Sequence, residues 1–224
     1  MARAMDDYLD LKFLAIGDSG VGKTCLLNQY IDGQFMKSLG TTVGIDIRDK
    51  NIFYKSTRSN RSYNISLQLW DTAGQERYRS LTTSFFRDAM GFLLVFDLAN
   101  ETSFLNVRNW IGEIQSNAYS ENVDVILVGN KCDLENERII TKSRALQFAQ
   151  QNRVEYIETS ALQNINVGES VESLLDLVMN RLEGEGNLSR ISRRLSRPPI
   201  VPLNSEAAER NTRKDIGSHY CCNY

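Results

Sequence analysis

Apolar residues along this chain fall into short strand-like runs separated by longer stretches with helical spacing. The runs, which are typical of buried strands, cover residues 11–16, 65–70, 92–96, 123–128 and 156–157. In residues 100–117 and 171–182 the apolar side chains recur every three or four positions, which predicts helices with one buried stripe. Strands that alternate with helices predict an α/β domain built on a parallel sheet.

One part of the pattern departs from simple alternation. Residues 55–64 are polar and lie between two strand-like runs, residues 44–54 and 65–70. Two strands joined in this way form an antiparallel hairpin, here with an extended tip. The sheet is therefore expected to be mixed.

The composition changes near residue 184. All three prolines lie after residue 197, helical periodicity ends, and Gly, Ser, Arg and Pro dominate the remaining sequence. We therefore expect one folded domain over residues 1–183 and a disordered tail over residues 184–224. The whole chain has a formal net charge of −2, but basic residues outnumber acidic ones in the tail. This distribution argues against a nucleic-acid partner and leaves two interpretations of the tail, contact with an anionic membrane or a solvated linker.

The cysteines do not have the spacing of a disulfide framework, which indicates a reducing compartment. They are Cys25, Cys132, Cys221 and Cys222. No apolar leader precedes the first strand-like run, and the longest apolar stretch, residues 91–96, is too short to span a bilayer. We expect synthesis in the cytosol, with any membrane attachment provided by something other than a transmembrane helix.

A glycine-rich segment follows the first strand-like run. Residues 17–24, Gly-Asp-Ser-Gly-Val-Gly-Lys-Thr, fit the phosphate-loop pattern G-x-x-x-x-G-K-[ST]. Such a loop wraps backbone N–H groups around phosphate oxygens at the positive end of a helix. Gly17 and Gly22 permit the tight path, Lys23 supplies a charge for the β and γ phosphates, and the Thr24 hydroxyl is a ligand suited to Mg²⁺.

A second motif follows residues 65–70. Asp71 stands at the end of that strand-like run, Gly74 offers an unobstructed N–H to a γ-phosphate, and the amide of Gln75 could orient an attacking water. The pattern D-x-x-G alone is most often a simple turn. The preceding strand and the distance from the phosphate loop favour the functional interpretation.

A third motif specifies the base. Asn130, Lys131 and Asp133 form the pattern N-K-x-D, in which the aspartate accepts hydrogen bonds from the ring N–H and the exocyclic amine of guanine. Adenine would leave this carboxylate unpaired, so the site would reject it. Residues 159–162, Thr-Ser-Ala-Leu, follow the last strand-like run and are placed to close over the base.

Together these motifs resemble those of the small GTPases, and the switch sequences resemble the Rab family. The matching segments are residues 43–46, 70–77, 80–83, 84–92 and 104–110. The last two segments and the long hairpin tip resemble the Rab subgroup of secretory granules and melanosomes. The resemblance implies a P-loop NTPase G domain with a central six-stranded sheet, mostly parallel with one antiparallel strand, and helices on both faces.

The resemblance also implies the extent of the site. Thr42 would bind Mg²⁺ and sense the γ-phosphate, and Phe35 would cover the guanine edge-on. The ion would be held by Thr24, Thr42 and Asp71, the last through a water. The implied nucleotide-binding residues are Gly17, Asp18, Ser19, Gly20, Val21, Gly22, Lys23, Thr24, Cys25, Phe35, Thr42, Asp71, Gly74, Asn130, Lys131, Asp133, Ser160, Ala161 and Leu162.

Three positions depart from the family pattern. Ile47 stands where Rab proteins usually have an aromatic residue, so the hydrophobic triad that contacts effectors would be Ile47, Trp70 and Phe85. The chain ends Cys-Cys-Asn-Tyr, whereas this subgroup usually ends Cys-x-Cys. Ser19 replaces the glycine of the related Ras proteins, but serine is common in Rabs and implies no loss of hydrolysis.

Function and partners follow from the same resemblance. GTP or GDP and Mg²⁺ would be bound, hydrolysis centred on Gln75 would be slow alone, and a GTPase-activating protein would stimulate it. Further partners would be an exchange factor, Rab escort protein, GDP-dissociation inhibitor and effectors of the synaptotagmin-like and melanophilin types. Prenyl groups on Cys221 and Cys222 would attach the protein to the cytoplasmic face of secretory granules, with a GDP-bound pool in the cytosol.

Three other functions share single features with this sequence. Residues 17–20 also resemble the nucleophile sequence of a serine protease, but the only histidine, His219, lies in the predicted tail where no triad could be held. A GTP-locked scaffold without turnover and an ATP-dependent P-loop kinase stay open. The presence of Gln75, Thr42 and Asp71 argues against the first, and Asp133 argues against the second.

Overall fold

A single six-stranded sheet forms the centre of the molecule in the computed structural model. The structure describes residues 7–35, 42, 44–73, 84–118, 123–186 and 188. The strands are β1 (Asp7–Ile16), β2 (Ile45–Lys55), β3 (Ser62–Thr72), β4 (Gly91–Asp97), β5 (Asp124–Asn130) and β6 (Glu155–Glu158). The helices within these residues are α1 (Lys23–Asp32), α2 (Glu101–Asn117), α3 (Lys142–Asn152) and α4 (Val167–Gly184), with a 3-10 turn at Glu135–Glu137.

The strand order is β2-β3-β1-β4-β5-β6. Neighbouring strands run parallel throughout except β2 and β3, which are antiparallel and place Ile47 opposite Trp70. The prediction of a mostly parallel sheet with one antiparallel strand is therefore confirmed. The parallel order brings the carboxyl ends of β1, β3, β4 and β5 to one edge, where ligands bind in sheets of this kind.

Two apolar cores lie on opposite faces of the sheet. Along β1, Leu11 and Phe13 point to the core that contains α1 and α4. Leu14 and Ile16 point to the other core, which contains α2 and α3. This division follows from the two-residue period of a strand, and it confirms that helices cover both faces.

The predicted helical stripes face these cores. On α2 the stripe contributes Phe104, Val107 and Ile114, while Ile111 is only partly buried. Asn100 begins this helix, since its side chain accepts a hydrogen bond from the backbone N–H of Ser103 at 3.1 Å. Thr141 begins α3 in the same way through Arg144.

The β2–β3 hairpin is anchored at its tip to the last turn of α4. Three hydroxyl groups donate to the Glu183 carboxylate, from Ser56 at 2.8 Å, Ser59 at 2.8 Å and Tyr63 at 3.0 Å. Arg58 adds a bond of 3.3 Å to the carbonyl of Asn180. The sequence predicted the hairpin and its long tip, but not this attachment.

The end of α4 lies close to the expected domain boundary. The helix ends at Gly184, and the expected tail is outside the described residues except for residues 184–186 and 188. In the part of the chain that the structure describes, every helix is too short or too polar to cross a bilayer.

Candidate nucleotide-binding site

The glycine-rich loop, residues 17–22, connects the carboxyl end of β1 to α1. Gly17 has φ of 135°, and a Cβ atom there would collide with the carbonyl oxygen of Val95 in β4. Gly22 has φ of 98°, and a Cβ atom there would collide with the side-chain amide of Asn130. Both positions therefore require glycine, for conformational and for steric reasons.

Lys23 lies inside the curve of this loop. Its ammonium donates to the carbonyl oxygens of Gly17 at 2.9 Å and Asp18 at 2.8 Å, and the side chain is buried. Burial lowers the pKa of Lys23 to about 8, against the opposing effect of the Asp71 and Asp18 carboxylates. The loop thus holds a positive charge in a poorly solvated position, where it attracts an anion strongly.

The first turn of α1 points toward the same loop. No side chain of the described residues caps this helix, whose N-cap residue Gly22 is in the left-handed conformation. The N–H groups of its first turn and the positive end of its dipole are therefore directed at the space that the loop encloses. This combination is a ready anion site.

Three oxygen-bearing side chains meet beside the loop. The Thr24 hydroxyl donates to Asp71 Oδ2 at 2.5 Å and lies 2.9 Å from the Thr42 hydroxyl. Asp71 is buried, and its Oδ1 has no hydrogen-bond partner among the residues that the structure describes. Burial raises the pKa of Asp71, although the Thr24 hydroxyl and the Lys23 ammonium act in the opposite direction. A buried carboxylate oxygen without a partner, next to two hydroxyls, fits a hard cation such as Mg²⁺.

Asn130 connects the phosphate loop to the segment that follows β6. Its amide nitrogen donates to the carbonyl of Val21 at 2.9 Å, while its amide oxygen accepts from the Thr159 hydroxyl at 3.1 Å and from the Ala161 N–H at 3.3 Å. The side chain is 1% exposed. The buried side chain of Asn130 therefore links the phosphate loop to the segment that follows β6.

The other two residues of this motif are also held by neighbouring side chains. Lys131 forms an ion pair of 2.7 Å with Asp97 at the end of β4. Asp133 accepts a hydrogen bond of 2.5 Å from the Ser160 hydroxyl, which itself accepts from the N–H of Gln163 at 3.0 Å. The Asp133 carboxylate is thus fixed in orientation at the end where the base is expected.

Some further predicted residues are described by the structure, and others are not. Cys25 and Phe35 are partly buried against the α1–α4 core, and Leu162 is 47% exposed. Gly74 and Gln75 lie outside the described residues, so their roles stay predictions.

The expected effector triad forms a continuous surface. Ile47 is 47% exposed and pairs across the hairpin with Trp70. The rings of Trp70 and Phe85 have centroids 5.6 Å apart. Lys12 lies over the Trp70 ring, 3.9 Å from its centroid, and donates to the carbonyl of Phe85 at 2.8 Å.

Several contacts in the site were not foreseen from the sequence. The Asp18 carboxylate is bound by Asn106 and Trp110 of α2, and the buried Thr72 hydroxyl donates to the carbonyl of Ala15 at 2.8 Å. The four-residue spacing of Asn106 and Trp110 was a signal that both face one side of a helix. Nothing in the sequence indicated that this side faces the phosphate loop.

The fold and this site define a class of protein, the P-loop proteins that bind a guanine nucleotide. A model of the Ras family matches residues 12–180. The chain belongs to the Ras family, and within it to the Rab GTPases of the secretory-granule and melanosome subgroup.

The relatives with which it was compared are closely similar over most of their length. Rab-27A of Homo sapiens is 56% identical over 181 residues, which are 79% of this chain and 81% of the relative. Rab-27A of Sus scrofa is 57% identical over the same shares. Rab-27B of Homo sapiens is 54% identical, with 79% of this chain and 83% of the relative covered.

This membership defines the activity. The protein is a small GTPase that binds GTP and GDP, hydrolyses GTP, and acts as a switch in vesicle and secretory-granule trafficking. Rab proteins in general work with GTP-dependent effectors, an exchange factor, a GTPase-activating protein and a GDP-dissociation inhibitor. The alternatives of an ATP-dependent kinase and of a scaffold without turnover are not favoured.

Proposed function

We propose that this protein reports its nucleotide state through the surface of Ile47, Trp70 and Phe85, and so recruits effectors for granule docking and exocytosis. One observation carries the proposal. Trp70 and Asp71 are consecutive residues of β3, and consecutive strand residues point to opposite faces. Trp70 lies in the triad, whose members are partly buried or exposed, while Asp71 lies beside Thr24 and Thr42. A change at the expected metal site therefore acts on the effector surface through one peptide unit.

In this proposal Thr24, Thr42 and Asp71 hold Mg²⁺, Asp71 through a water. The ion, when bound, supplies positive charge to the β- and γ-phosphate oxygens. Support comes from the unpartnered Asp71 Oδ1 and its two hydroxyl neighbours. Lys23 and the N–H groups of the loop bind the same phosphates, and Asp133 selects guanine.

Hydrolysis is assigned to Gln75, which orients the attacking water. Among the described residues, no hydrogen bond or ion pair joins an arginine side chain to the phosphate loop. In this proposal turnover is slow for the protein alone, and an activating protein supplies further positive charge. Loss of the γ-phosphate would release Thr42 and Gly74 and change the switch segments.

The finer partners and the location are also proposed. Effectors of the synaptotagmin-like and melanophilin types would bind the GTP form, and Rab escort protein would present the chain for prenylation at Cys221 and Cys222. Two lipid chains suffice for stable attachment, with the tail of residues 184–224 as the spacer. The protein would then reside on the cytoplasmic face of secretory granules, with a GDP-bound pool in the cytosol and no nucleic-acid partner.

A single-turnover hydrolysis assay tests the catalytic part. The full chain loaded with GTP should hydrolyse slowly, an activating domain should accelerate it, and Gln75→Leu should reduce the intrinsic rate. Hydrolysis that responds neither to the activating domain nor to the substitution would support the GTP-locked scaffold instead.

Cell fractionation tests the membrane part. The double variant Cys221→Ser, Cys222→Ser should be cytosolic, whereas the wild type should fractionate with membranes. Membrane association that is unchanged in the double variant would remove the lipid-anchor proposal.

A further inference from the structure

The Asp18 carboxylate, the only acidic side chain of the glycine-rich loop, is bound on both oxygens by neutral donors from α2. Asn106 donates through Nδ2 to Oδ2 at 2.7 Å, and Trp110 donates through Nε1 to Oδ1 at 2.9 Å. Trp110 is 2% exposed. No ion pair among the described residues includes this carboxylate.

The negative charge of Asp18 opposes the binding of an anion by the loop. The loop encloses an anion site, and a carboxylate turned into it would repel phosphate and compete with it for Lys23. The observed orientation avoids this, since the side chain is held by α2 while the backbone carbonyl of Asp18 accepts from Lys23 at 2.8 Å. One residue thus presents its carbonyl to the loop and its carboxylate to the helix.

Helix α2 is a firm support for this arrangement. Asn106 and Trp110 are four residues apart and therefore lie on one side of the helix. At its amino end, the hydroxyl of Ser103 accepts from the N–H of Asp97 at 3.0 Å, and Asp97 forms the ion pair with Lys131. The same helix therefore contacts the phosphate end and the guanine end of the site.

We propose that Asn106 and Trp110 are positioning residues of the phosphate loop. They hold the Asp18 carboxylate away from the bound phosphates and thereby slow the release of nucleotide. This inference rests on the proposed nucleotide site, and it adds two residues that act on the site through Asp18.

The experiment measures release of a fluorescent GDP analogue from the full-length protein. Asn106→Ala and Trp110→Phe each remove one donor to a charged acceptor, and each should accelerate release by about 10-fold. Trp110→Phe retains an aromatic ring in the core. The control is Leu105→Ala on the same helix, because Leu105 is 59% exposed, and its release rate should match the wild type.

A second substitution that reverses the fast release distinguishes a positioning role from a general structural role. Adding Asp18→Ala to either variant removes the misdirected carboxylate, so slow release should return to within about 2-fold of the wild type. If release remains fast in the combined variants, or is unchanged in the single ones, the inference is wrong.

Asn106 is only partly buried, so Asn106→Ala is a sufficient test even if Trp110→Phe does not fold. Failure of the wild type to bind the GDP analogue would overturn the nucleotide site itself and this inference with it.

Discussion

The guanine end and the metal end of the site differ in how far the protein's own groups satisfy one another. At the guanine end, the amide of Asn130 uses both its oxygen and its nitrogen, and Asp133 is bound by Ser160. At the metal end, Asp71 Oδ1 is buried, and no group in the described part of the chain donates a hydrogen bond to it. The first end is organised before a ligand arrives, whereas the second is completed by what binds there.

This difference suits a switch. Base recognition must be the same for GDP and GTP, so a rigid constellation of internal bonds serves it well. The metal end must distinguish the two nucleotides, and an incomplete set of oxygens makes its arrangement depend on the ligand. The comparison yields predictions at both ends.

The largest effect is expected at the guanine end. Asp133→Ala removes the acceptor for guanine, and should reduce the preference for GTP over ATP by about 10⁴-fold. Competition between the two nucleotides for purified protein measures it. Ser160→Ala, which leaves the carboxylate in place but frees its orientation, should have a much smaller effect, and equal effects would refute the assigned role of Asp133.

Asn130→Ala should remove the link between the phosphate loop and the segment that follows β6. Three buried hydrogen bonds are lost, so the free energy of unfolding should fall by about 3 kcal/mol. Denaturant unfolding of the GDP-bound protein measures this fall. A value below about 1 kcal/mol would show that the guanine end does not depend on these bonds.

Asp71→Asn tests the metal end. Replacing the carboxylate should weaken Mg²⁺ binding by about 100-fold, because the buried negative charge is the main attraction for the ion. In the wild type, chelation of Mg²⁺ should accelerate GDP release, whereas release from the variant should already be fast and respond little to the chelator. A variant that retains the wild-type response would place the ion elsewhere.

The smallest effect is expected at the hairpin tip, which is remote from both ends. Burial acts to raise the pKa of Glu183, but the hydroxyls of Ser59, Ser56 and Tyr63 outweigh it and hold the pKa below its ordinary value of 4.5. A lowered pKa contributes stability above that ordinary value, and the contribution is lost as the pH falls through the lowered pKa.

Glu183→Gln should therefore lower stability by about 1 kcal/mol at pH 7 and flatten its decline below pH 5, without altering GDP release. Thermal unfolding from pH 7 to pH 3 provides the measurement. Faster GDP release in this variant would mean that the tip and the nucleotide site are coupled.

Local patterns predicted the elements well. Apolar runs identified β4 and β5 almost to their ends, because strands buried on both sides are continuously apolar. The run at residues 11–16 captured only the later part of β1, which begins at Asp7, because residues 7–10, Asp-Tyr-Leu-Asp, contain too few apolar side chains to extend the run. The glycines of the phosphate loop were evident because their spacing is fixed by local geometry.

Contacts between distant segments could not be predicted in this way. Asp18 lies 88 residues before Asn106, and Tyr63 lies 120 residues before Glu183. Both contacts depend on how α2 and α4 are placed on the sheet, which no periodicity specifies. The hydrogen bonds of Asn130 are also contacts between distant segments. The N-K-x-D pattern indicates a contact with the base, but it does not indicate that Asn130 links the phosphate loop to the segment after β6.

The anchoring of the hairpin tip has a mechanical consequence. Glu183 lies one residue before the end of α4, beside the expected boundary between the domain and the tail. If the tail is tethered to a membrane, tension along it enters the domain at this turn. Three hydroxyl bonds would spread that load into β2 and β3, across a hairpin of two eleven-residue strands. A force applied to the tail would then deform the whole sheet before it could detach α4 from the domain.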